Sequence, residues 1–81
     1  MAKKIIKAEM PEPQLLRSAE VLGEFIRAAR TGSSLTVHDA AALCNVSVST
    51  ITNLENAKAD VKFSTVLQVC RMLGVTLRIE A

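Results

Sequence analysis

Apolar positions along the chain fall into four helical stretches and one alternating tail. Val21, Leu22, Phe25, Ile26 and Ala29 recur at the spacing of one helix face. Ser18 ahead of them suits an N-cap, Glu20 suits the first turn, and Gly32 suits a stop. Thr36 predicts the start of a shorter helix over Val37 to Cys44, with Ala40, Ala41, Leu43 and Cys44 on its buried side. Asn45 tolerates the left-handed conformation, so it predicts a tight turn. Ser47 then caps a third helix reaching about Asn56, with Val46, Ile51 and Leu54 inward. The loop AKADVK leads to a fourth helix, Phe63 to Leu73, whose apolar face is Phe63, Val66, Leu67, Val69, Cys70 and Leu73; Gly74 stops it. Phe63 is expected in the core.

The tail VTLRIEA alternates, with Val75, Leu77 and Ile79 on one side, which is a strand pattern. A lone strand leaves its backbone unpaired and needs a neighbour. KKIIK near the N-terminus, or the same strand of a second subunit, would serve. Pro11 and Pro13 discourage a helix before Ser18. The expected division is an arm over residues 1–17, a helical domain over 18–74 and a dimerising strand over 75–81.

Composition narrows the class. An 81-residue chain is one small domain, marginal alone and helped by dimerisation. No apolar run approaches the roughly 18 residues that cross a membrane, and the N-terminus lacks a leader's apolar stretch. A cytoplasmic protein is expected, with no membrane partner. Cys44 and Cys70 form no CxxC and lie on apolar faces, so reduced core thiols are expected over a disulfide. His38 is the only histidine and has no ligand constellation around it, so no metal is expected. No phosphate loop, nucleophile–base pair or carboxylate pair appears. Neither an enzyme, a cofactor nor a small-molecule substrate is expected. The net charge of +2 permits an acidic partner without demanding one.

The segment NVSVSTITNLE, residues 45–55, is unusual among these stretches. It has no lysine, arginine or aromatic, yet it sits between plainly helical runs. Ser47, Val48, Ser49, Thr52, Asn53 and Asn56 would point outward. That is either a solvated face or a face made to approach another surface closely. The major groove of B-DNA admits one helix, where short Ser, Thr and Asn side chains reach base edges. Asn pairs best with adenine, and a Val or Thr methyl can touch the thymine methyl. Missing cations are no objection, because phosphate anchoring is a separate task.

Residues 36–55, TVHDAAALCNVSVSTITNLE, resemble the helix-turn-helix of Cro/cI-type (XRE) repressors. The resemblance runs through a small Ala41, the turn residue Asn45, the β-branched Ile51 and the apolar Leu54. Thr36, Val46–Ser47, Thr50–Ile51 and Leu54–Glu55 match as well. STVLQVCRMLGV resembles the family's fourth helix. Ser18 to Ile79 is further similar to the HipB-like antitoxin branch. The resemblance implies an all-α, lambda-repressor-like bundle of four to five helices with a short C-terminal β-strand. It implies a homodimer joined through Val75, Leu77 and Ile79, bound to double-stranded operator DNA. It also implies repression of the chain's own operon and a HipA-like kinase toxin as partner. The family's DNA-contacting Gln at the start of the first motif helix is here Val37, and its turn Gly is Asn45.

Base contacts are therefore expected from Val48, Ser49, Thr52, Asn53 and Asn56. Phosphate contacts are expected from Thr36, Ser47 and Lys58. Arg27 and Arg30 are placed either on phosphates or among ordinary surface charges. Lys3, Lys4 and Lys7 read better as a solvated tail than as a DNA-tracking arm. The alternatives are a toxin-neutralising interaction module with weak DNA binding and a stand-alone phage-type repressor.

Overall fold

The computed structural model describes residues 5–81. Four helices follow in order: α1 (Ala19–Gly32), α2 (Val37–Cys44), α3 (Val48–Glu55) and α4 (Phe63–Leu73). Three of them start where a polar side chain can satisfy an orphan amide. Ser18 Oγ accepts from Val21 N at 3.4 Å, Thr36 Oγ1 from Asp39 N at 3.0 Å, and Ser47 Oγ from Thr50 N at 3.0 Å. Asp39 returns the bond by accepting from Thr36 N, completing a capping box on α2. The fourth helix starts after Lys62 with no side-chain cap.

All four helices end in one way. The amide directly after one left-handed residue bonds back to a carbonyl five residues earlier. The bonds are Leu35 N to Arg30 O, Val46 N to Ala41 O, Lys58 N to Asn53 O and Val75 N to Cys70 O. The left-handed residues are Ser34, Asn45, Ala57 and Gly74. Asn45 and Gly74 are where the sequence predicts a stop. The stop expected at Gly32 falls two residues later, at Ser34, because Gly32 itself remains helical.

The core joins Ile26 of α1, Ala40, Ala41 and Cys44 of α2, Ile51 and Leu54 of α3, and Val66, Val69 and Cys70 of α4. Its α2 members are small, so α3 and α4 close in on α2 with little volume to fill. Gln68 Nε2 donates to the carbonyl of Cys44, which ties α4 to the end of α2. Cys44 and Cys70 are both free and buried, and burial pushes both thiols up.

Three expectations are corrected. Phe63 is 68% exposed, and Leu43 and Leu67 are also exposed. Each sits at the rim of its face, on the arc that no neighbouring helix covers. No strand forms among the described residues. Among the described residues, the tail past Gly74 has no segment beside it to pair with. Val75 and Leu77 instead pack partly buried against their own core, which leaves Ile79 fully open. Residues 5–17 of the arm pair with no strand either. Ala8 N donates to the buried hydroxyl of Thr31 at 2.9 Å, so the arm doubles back to the far end of α1. Lys3 and Lys4 lie outside the described residues.

Candidate nucleic-acid interface

Helix α3 is the candidate reading element, and its register follows from what it buries. Ile51, Leu54 and Glu55 face inward. Ser49 and Asn56 are exposed, and Thr52 and Asn53 are half-exposed. The outward face expected from the sequence is thus the one α3 presents. Val48 differs: it is partly buried against the core, with only its outer methyl surface available.

The polar groups on this face are unequally engaged. Ser47 Oγ and Thr50 Oγ1 share a hydrogen bond of 2.8 Å. Thr52 Oγ1 donates to the Ser49 carbonyl at 3.0 Å. Asn56 Oδ1 accepts from Arg27 Nη2 at 2.8 Å. Among the described residues, the Asn53 amide and the Ser49 hydroxyl carry no such partner.

The two arginines of α1 are not loose surface charges. Arg30 donates from Nε and Nη2 to the carboxylate of Glu55 and from Nη1 to Leu35 O. Its side chain is only 12% exposed and that of Glu55 only 3%. Arg27 Nε adds a contact to Glu55 Oε1 at 3.2 Å, with a side chain still 46% exposed. A carboxylate this buried needs paired donors, and α1 supplies them at i and i+3. Arg30 is therefore a structural clamp on the end of α3, not a free phosphate ligand. Arg27 keeps one exposed edge beside Asn56.

Gly23, which the sequence reading passed over, lies on the same face of α1. A Cβ there would stand 2.6 Å from Glu55 O and 2.7 Å from Leu54 O. Glycine lets α1 lie directly on the last turn of α3. The visible signal was the spacing of Gly23, Arg27 and Arg30, one helix face apart from the apolar one.

The remaining candidates cluster at the ends of the motif helices. Thr36 is half-exposed at the head of α2, with its hydroxyl accepting from Asp39 N. Ser47 is exposed at the head of α3, and both helix heads turn amide N–H groups outward in the way that suits phosphate. Lys58 is exposed just beyond α3, held between the left-handed residues Ala57 and Ala59. Val37 is partly buried on the core, so it replaces no contact that a Gln there would make. His38 is exposed on the first turn of α2. No group of His, Cys, Asp and Glu among the described residues is arranged to hold a metal ion. Among the described residues, no helix is long and apolar enough to cross a membrane.

No curated protein matches the chain. A family model described as a helix-turn-helix domain matches residues 21–80, which takes in all of α2, α3 and α4 and most of α1. The chain belongs to the helix-turn-helix family of the Cro/cI type.

Proposed function

We propose that the chain is a sequence-specific DNA-binding repressor, acting as a homodimer on a palindromic operator upstream of its own gene. One observation carries the reading. The second helix of a helix-turn-helix shows outward only short side chains, of which the Ser49 hydroxyl and the Asn53 amide carry no hydrogen-bond partner among the described residues. In a dimer, two such helices enter successive major grooves about 34–36 Å apart. Thr36, Ser47 and Lys58 anchor phosphates, and Arg27 adds its exposed edge. Val48 and Thr52 contribute methyl contact, and Asn56 flanks the read bases. Ile79, free at the end of the tail, joins the subunits, with Val75 and Leu77 supporting it from the core side. Bound there, the dimer excludes polymerase. It catalyses nothing and works in the cytoplasm.

The finer assignment is a HipB-like antitoxin that also binds a HipA-like kinase toxin. The resemblance of residues 18–79 to that branch supports it. Val37 favours a second reading, a toxin-neutralising module with weak DNA binding, because a half-buried valine stands where the family reads or anchors DNA with Gln.

Fluorescence anisotropy against the DNA upstream of the gene, beside a scrambled duplex and at two salt concentrations, separates the readings. A preference of about a thousandfold marks a specific repressor. Equal weak binding that collapses with salt leaves phosphate attraction alone and rejects repression. Lys58→Ala is expected to weaken both duplexes and to lower the salt slope by about one unit.

A further inference from the structure

We infer that the half-site is centred on A·T pairs, with Asn53 bonding an adenine through N6 and N7 and no guanine fixed by α3. This rests on the DNA-binding reading above and says which bases that site takes.

Guanine is read in the major groove chiefly by an arginine or lysine placed on O6 and N7. Helix α3 has neither. The guanidinium groups nearest its last turn are already held. Arg30 is closed onto Glu55 and the Leu35 carbonyl, and Arg27 is bonded to Glu55 and to Asn56 Oδ1 at 2.8 Å. Bringing Arg30 to a base would take two of the three donor bonds from a carboxylate that is 3% exposed, and bringing Arg27 would break its bonds to Glu55 and Asn56. Lys58 lies past the end of α3, where the chain has already turned off the helix axis.

The groups that remain match adenine and thymine. A side-chain amide offers one acceptor beside one donor, the mirror of adenine's N6 donor and N7 acceptor. Asn53 is one turn after Ser49 on the outward face, and neither side chain is committed elsewhere among the described residues. The hydroxyl of Thr52 is turned back to the Ser49 carbonyl, which leaves its methyl as the outward contact for a thymine C5-methyl. Ser49 bonds either base and sets no preference alone.

The test is selection of bound duplexes from a random pool by the purified full chain, followed by anisotropy on the best site. The expected half-site holds A·T pairs at its centre. Exchanging the pair under Asn53 for G·C is expected to weaken binding roughly 5- to 150-fold. Placing 7-deazaadenine there, which removes only the N7 acceptor, is expected to weaken it in the same direction. Asn53→Ala is expected to flatten the preference at that pair alone, with its melting curve serving as the folding control. An invariant G·C pair at the centre that survives Asn53→Ala overturns the inference and leaves DNA binding standing. A·T enrichment that ignores both 7-deazaadenine and Asn53→Ala also overturns it, since the groove shape is then what is read. No enriched sequence at all removes the inference together with the reading beneath it.

Discussion

The α-carbon of Gly23 lies so close to the carbonyl of Glu55 that a Cβ there would reach within 2.6 Å of the oxygen. In an ordinary helix interior, Gly→Ala stabilises by about 1 kcal/mol. Here the sign reverses. Gly23→Ala must push α1 off the last turn of α3, an overpacking penalty of about 1–3 kcal/mol. Gly32, also helical, has open space where its Cβ would go, so Gly32→Ala is expected to stabilise by about 0.5–1 kcal/mol. Thermal melts of the two variants should move in opposite directions. Parallel shifts would show that the close approach is not what selects glycine at 23.

Arg30 and Glu55 form the second tie between the same helices. Arg30→Ala leaves a carboxylate only 3% exposed with one weaker partner, at an expected loss of about 3 kcal/mol. Replacing both, Arg30→Met with Glu55→Leu, is expected to lose much less, because no buried charge is orphaned. A double-mutant cycle by denaturant unfolding reads the difference. Additive losses would mean that the pair is not coupled.

Three of the four helix ends use a residue with a Cβ in the left-handed region; Asn45 tolerates it, whereas glycine would relieve strain at Ser34, φ 58°, and Ala57, φ 54°. Ser34→Gly and Ala57→Gly are each expected to stabilise by about 0.5–1 kcal/mol. Gly74→Ala, at φ 80°, is expected to destabilise by about 1 kcal/mol. Urea midpoints for the three variants test this, and a destabilised Ala57→Gly would reject it.

The carboxyl of Asp39 is held below its ordinary 3.8, chiefly by the bond from Thr36 N, then by the Thr36 side chain and by His38. The folded form therefore binds that proton more weakly than the unfolded chain does. The stabilisation is complete above the unfolded value and is lost as pH falls through the lower folded one. Asp39→Asn should flatten the acid limb of melting temperature against pH below about pH 4. An acid limb of unchanged slope would show that the capping box carries no linked proton.

The helices were legible because their periodicity and caps agree: Val37–Cys44 and Phe63–Leu73 fall on the residues the pattern marks. Asn45 was legible because few residues accept its conformation. Ser34 and Ala57 were not, since nothing in a serine or an alanine announces a left-handed turn that backbone bonds impose. Phe63 misled because hydrophobicity reports what a residue prefers, not whether the helix turns that side toward a neighbour. The tail misled through its period of two, a pattern that requires a pairing edge which residues 75–81 do not find among the described residues. The outward face of α3 was readable from spacing. The commitment of Arg27 and Arg30 to Glu55 was not, because partners 25 to 28 residues apart leave no periodic trace.

Closed at its head by Ser47, at its tail by the Lys58 amide, and bolted sideways to α1, α3 is already in its working shape before any groove is met. Association then orders no backbone in the reading helix. Its heat-capacity change should scale with the surface that protein and duplex hide from water, without the larger negative excess that marks a segment folding as it binds.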